Sequence, residues 1–183
     1  MYFGSHSATL YFWNFTGWIY QWAVAFVNAG VTNIPEVASI SWGSPERETC
    51  STSACSEKQV TSYLSETEAQ FTKLAAMGIT IVNSSGDSGA PNNPNMYCQT
   101  GESGLFGYPK NVNPSFPSTS EWVTSVGATF IVADSSNCPS SWNSKLCKNY
   151  QCACGSEEVA TGYEYTKWTT GGGFSFLNNV ADF

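Results

Sequence analysis

A chain of 183 residues, 42% hydrophobic and 15% aromatic, is long enough to bury one substantial core and far from compositions that stay disordered. Seven Lys and Arg against 14 Asp and Glu leave a net charge of −7 with no basic run, which excludes a nucleic-acid binder working by phosphate neutralisation. So few charges of either sign also limit self-repulsion in acid, which suits an acidic compartment.

The stretch from Leu10 to Val27 is apolar enough to raise a signal peptide or a membrane span. No Lys or Arg precedes Arg47, however, so there is neither a basic n-region nor a positive flank, and Asn14, Thr16, Gly17 and Gln21 interrupt the run. No membrane partner is expected. Asn14-Phe15-Thr16 is a glycosylation sequon, consistent with secretion. Trp18, Trp22, Ala25, Phe26 and Ala29 then recur at helical spacing, with Thr16 as a candidate N-cap and Gly30 as the stop.

Val37 to Trp42 reads as a short apolar strand ending at Gly43, followed by a polar loop that Cys50 and Cys55 are placed to close. A second helix keeps the i, i+3, i+4, i+7 rhythm through Val60, Tyr63, Leu64, Thr67, Phe71, Leu74 and Ala75, with Gly78 suited to a left-handed C′ position. Ile79 to Val82 is a buried strand, and Trp122 to Val126 and Thr129 to Val132 are two more around Gly127. Helix, strand, helix, strand with short apolar strands argues for parallel pairing through right-handed crossovers, in one domain over 1–183. Ser135 to Tyr165, rich in Ser, Asn, Cys and Gly without a sustained period, reads as an inserted loop.

Seven cysteines, Cys50, Cys55, Cys98, Cys138, Cys147, Cys152 and Cys154, fall mostly in loop-like stretches and read as disulfides, hence secretion. Zinc fits poorly, since Cys152-Ala-Cys154 is too tight for a ligand pair and the single His, His6, is remote. The odd count implies a free thiol or a partner cysteine outside this chain.

In an open parallel sheet ligands gather beyond the carboxyl ends of the strands, so the loops after Ile40 and Val82 are where chemistry belongs. The second loop runs Ser84-Ser85-Gly86-Asp87-Ser88-Gly89-Ala90. Its plain reading is a tight turn in which Asp87 caps the next element. Gly86-Asp87-Ser88-Gly89 is similar to the nucleophile motif of chymotrypsin-like peptidases, but that mechanism needs a His base and an all-β fold, and the chain supplies neither.

Five segments taken in order are more specific: Ser39-Ile40-Ser41-Trp42-Gly43, Ser84 to Gly89, Pro114-Ser115-Phe116-Pro117, Thr124-Ser125-Val126-Gly127-Ala128-Thr129 and Gly171-Gly172-Gly173-Phe174-Ser175. Together they resemble the sedolisin family, acid serine-carboxyl peptidases that include tripeptidyl-peptidases. The resemblance implies an α/β fold with a subtilisin-like parallel sheet flanked by helices, incomplete in this span, and a peptide or protein substrate. It places the chain in a secreted setting or a lysosomal or vacuolar lumen. It also implies that Asp87 is the oxyanion-hole donor. A carboxylic acid donates a hydrogen bond only when protonated, which ties activity to low pH or to a site that keeps the carboxyl neutral. Ser41, Trp42 and Gly43 would be the strand edge that pairs with extended substrate, with packing in the core as the alternative for Trp42. Gly171 to Gly173 read as a turn rather than as catalytic residues.

The family's Ser-Gly-Thr-Ser nucleophile motif does not occur here, and no Glu has an Asp four positions later to form its acid pair. The chain is therefore expected to be an internal piece, inactive alone, of a longer peptidase. The calcium that the resemblance implies for the full-length protein has no assigned ligand in this span. The competing function is a catalytically dead peptide-binding or decoy module.

Overall fold

The computed structural model describes residues 9, 11–13, 16–30, 32, 34–50, 55–90, 113–133, 155–162 and 168–178. The long amphipathic helix α2, Glu57–Ala76, starts from a reciprocal cap: Ser56 Oγ accepts from Gln59 N at 3.4 Å and Gln59 Oε1 accepts from Ser56 N at 3.0 Å. It ends before Gly78, whose φ of 82° is the left-handed conformation a side chain resists. Helix α1, Ile19–Ala29, has Trp18 and not Thr16 as its N-cap. Gly17, at φ 137°, turns the chain, and Gln21 Oε1 reaches back to the Trp18 amide at 3.1 Å, so the capping group lies inside the helix.

Strands β1 (Val37–Ile40), β3 (Thr80–Ser84) and β5 (Val123–Val126) form a parallel sheet in the order β1-β3-β5. Register puts Ala38, Ile81 and Val123 in one row, so they share a face, and all three are buried. That row joins Ile19, Ala23 and Phe26 of α1 and Val60, Leu64, Phe71 and Leu74 of α2 in one core cluster. The rings extend it: Trp22 meets Phe26 at 5.0 Å and Phe71 at 6.4 Å, and Phe71 stacks on Phe116 at 6.2 Å. The α/β fold with a parallel sheet is thus observed.

Three elements depart from the sequence reading. β1 stops at Ile40 instead of reaching Trp42, because the chain turns into β2 (Ser44–Pro45), which pairs antiparallel with β4 (Ser115–Phe116) outside the main sheet. Strand β6 (Thr129–Ala133) does not extend the sheet but pairs antiparallel with β7 (Gly155–Ala160). β7 lies within 135–165, so that stretch is not loop throughout; most of the rest of it lies outside the described residues. Cys50 and Cys55 form a disulfide across the loop that they were expected to close, and the other five cysteines, like Asn14 of the sequon, lie outside the described residues.

Candidate active site

The parallel register brings three strand ends to one edge. Ile40 pairs with Asn83, and Ser84 with Val126, so the segments that follow β1, β3 and β5 all leave at the carboxyl side of the sheet. Asp87 sits in the second of these, between Gly86 (φ 103°) and Gly89 (φ 63°), two left-handed positions that let the loop reverse tightly. Its side chain is exposed and takes no hydrogen bond from the described residues, so the capping role does not appear among them.

What holds the turn is main chain from far along the sequence. Gly171 N donates to Gly86 O at 2.8 Å, Thr169 N to Asp87 O at 3.2 Å, and Gly89 N to Thr169 O at 3.1 Å. A Cβ on Gly171 would overlap the Ser85 carbonyl oxygen, so only glycine permits this approach. Thr170 completes the clasp: its Oγ1 lies 3.1 Å from Ser85 Oγ and accepts from Ala128 N at 2.8 Å. Gly171 thus has a structural task that a bare turn does not describe.

Ser41, Trp42 and Gly43 are exposed where the chain leaves the sheet. Gly43 is required there, since a Cβ would stand 2.5 Å from Ser115 Oγ and 2.7 Å from Phe116 O. Trp42 is 63% exposed, which overturns the core-packing alternative. It meets Trp18 edge-on at 6.1 Å and borders an open apolar groove of about 470 Å³, lined also by Phe12, Trp13, Trp22 and Ile40. The Asp87 loop and the Ser41–Gly43 segment therefore share one end of the sheet.

Two acids, Glu46 buried and Glu68 half-buried, carry no mark of their own in the sequence. Glu46, with no exposed surface, accepts from Ser175 Oγ at 2.5 Å and from Phe176 N at 2.9 Å. Glu68 accepts from Ser120 Oγ at 2.7 Å and from Asn178 Nδ2 at 3.2 Å. Burial pushes both carboxyls above the ordinary glutamate value, against the lowering effect of these hydrogen bonds. Nothing local marked Glu46, because its partners lie about 130 residues away. Glu68 stands next to Thr67 on the buried side of α2, the one signal that was legible.

Among the described residues no group of three or more His, Cys, Asp or Glu could hold a metal ion, so the donor set for the implied calcium is not found among them. No helix of the described residues is long and apolar enough to cross a membrane.

Compared with known proteins, the chain is 33% identical to physarolisin of Physarum polycephalum over 171 residues, 92% of this chain. The chain belongs to the sedolisin family. Tripeptidyl-peptidase 1 of Mus musculus is 29% identical over 119 residues, 62% of the chain. Pseudomonas sedolisin, a serine-carboxyl proteinase solved with two molecules of pseudo-iodotyrostatin, shows a loose likeness of fold, with a TM-score of 0.42 and 27% identity over 62% of this chain and 26% of that one. No family model matches. The chain spans 28% of the length of physarolisin and 17% of that of tripeptidyl-peptidase 1.

Proposed function

We propose that this chain is part of a serine-type peptidase, an endopeptidase or tripeptidyl-peptidase, that hydrolyses peptide bonds at acidic pH, with Asp87 as oxyanion-hole donor and Ser41, Trp42 and Gly43 as the substrate-pairing edge. The observation that carries the reading is the Asp87 turn: an exposed carboxyl on a main chain clamped at three hydrogen bonds, at the sheet end where Ser41 to Gly43 also emerge. A donor to a developing oxyanion must be held before charge appears, and such a donor contributes about 2.7–4 kcal/mol to the transition state. A carboxyl donates a hydrogen bond only when it carries a proton, which is why the reading is tied to acid.

Extended substrate would take main-chain hydrogen bonds from Ser41 to Gly43, with its apolar side chains against Trp42. Within the 183 residues there is no Ser-Gly-Thr-Ser and no Glu followed four positions later by Asp, so these residues alone are proposed to give no turnover. The Cys50–Cys55 disulfide supports a secreted or lysosomal or vacuolar setting, where thiols stay oxidised. The second reading, a peptide-binding or decoy module, draws on the exposed Trp42 and its apolar groove, which would serve binding without chemistry.

The test is peptide hydrolysis from about pH 3 to 7 by the protein expressed from its full reading frame, with and without Asp87→Ala. Activity confined to acid and reduced about 10²- to 10³-fold in the variant supports the peptidase. Peptide binding with no hydrolysis at any pH supports the module instead, and a near-wild-type rate in the variant removes Asp87 from the site.

A further inference from the structure

Glu46 lies three positions beyond Gly43, and each of its carboxylate oxygens accepts a hydrogen bond from one distant stretch, Ser175 and Phe176, with the Thr119 side chain also facing the carboxyl. The Ser175 hydroxyl gives its single proton to Glu46 while its oxygen accepts from Leu177 N at 3.0 Å and Asn178 N at 2.8 Å, the pattern of a residue that opens a turn of helix. A hydroxyl so occupied has no lone pair left for another donor. The Arg47 guanidinium covers the Phe176 ring at 4.7 Å, and Glu68 holds Asn178. This stretch continues directly from the clasp of Thr169 to Gly171 on the Asp87 turn. One strap, 169–178, is therefore bonded at its first end to the Asp87 turn and at its last end to the residues just after Ser41 to Gly43.

We propose that Glu46 is a positioning residue for peptide hydrolysis: by anchoring Ser175 and Phe176 it sets the strap, and with it the Asp87 turn, relative to the Ser41–Gly43 edge. The inference rests on the peptidase reading above. Glu46 is buried and acts through the strap, so its loss should lower turnover more than substrate affinity; small misplacements of a catalytic group reach about a hundredfold in rate. Glutamine is a sharp probe. It has the same shape, but its amide offers one acceptor oxygen where two donors wait, so it can keep in place only one of the bonds from Ser175 Oγ and Phe176 N.

The experiment uses the full-length protein, with Glu46→Gln, Ser175→Ala and the double variant, measuring kcat, KM and amide hydrogen exchange over 169–177 by mass spectrometry. Each single variant should lose about ten- to a hundredfold in kcat with KM within about twofold. The double should be no worse than the poorer single, because both remove the same bond. Exchange over 171–177 should quicken while peptides from α2 keep wild-type protection. Unchanged kcat in Ser175→Ala overturns the proposal, as does a kcat loss in both variants that follows only the unfolded fraction. A wild type active in acid and crippled by Asp87→Ala but indifferent to Ser175→Ala sinks this inference alone. A wild type that hydrolyses nothing sinks the peptidase reading first, and the positioning role with it.

Discussion

At the scale of single residues, buried Glu46 and half-buried Glu68 set the direction of the molecule's response to pH. Burial raises Glu46, against the lowering contributions of Ser175, Phe176, Thr119 and the neighbouring Arg47 charge. Burial also raises Glu68, opposed by Ser120 and Asn178 and reinforced by the negative charges of Glu121 and Glu46. A carboxyl whose folded-state pKa lies above its unfolded value keeps its proton in the native state after the unfolded chain has released it. Stability from this source is therefore full below the ordinary glutamate range and is lost as pH rises through the raised values. Urea midpoints of the full-length protein should fall between about pH 4 and 7, and Glu68→Gln should flatten that slope. A midpoint that climbs with pH in the wild type and is untouched by Glu68→Gln would contradict this. The sign suits the acidic setting proposed above.

At the scale of elements, the strap makes distant chain act as one unit with the β3 loop. Gly171 is its tightest point, where main chain lies against main chain at Ser85 and Gly86. Gly171→Ala has to part those two backbones, an overpacking change that typically destabilises by about 1–3 kcal/mol. Its mark should be local as well: faster amide exchange at Gly86 to Gly89 and at least tenfold lower peptide turnover, on the order of 1.4 kcal/mol or more in the barrier. Wild-type exchange across the Asp87 turn in that variant would show that the clasp does not hold it. The helices, by contrast, were legible in the sequence. Val60, Leu64, Phe71 and Leu74 recur on one side of α2 because a single buried face imposes its period, and Ser56 and Gln59 cap it locally.

At the scale of the whole molecule, both helices and the parallel sheet share one cluster, and Phe71 of α2 lies within it, touching Trp22 of α1 and stacking on Phe116 of β4. With no exposed surface, its removal leaves a cavity that no single element can close. Phe71→Ala should destabilise by about 3–5 kcal/mol, seen as one lowered cooperative transition in chemical unfolding rather than loss of α2 alone. Two separate transitions would show that the helices and the sheet are not one unit.

Hydrophobic period, capping residues and short apolar strands are local properties, and they determined α1, α2, β1, β3 and β5 and the parallel sense of the sheet. The five ordered segments pointed to the family, which the 33% identity to physarolisin over 171 residues bears out, because a string of residues is read independently of the contacts around it. Tertiary structure alone decided the rest. β2 and β4 are two-residue strands that exist only through each other, and β7 pairs with β6 across a span with no sequence rhythm. Trp42 was undetermined by its type, since a Trp at a strand end can face core or solvent; the turn into β2 puts it outside. Glu46 reads as an ordinary surface acid until Ser175 and Phe176 arrive to bury and bond it, and no local pattern encodes a hydrogen bond between residues 129 positions apart.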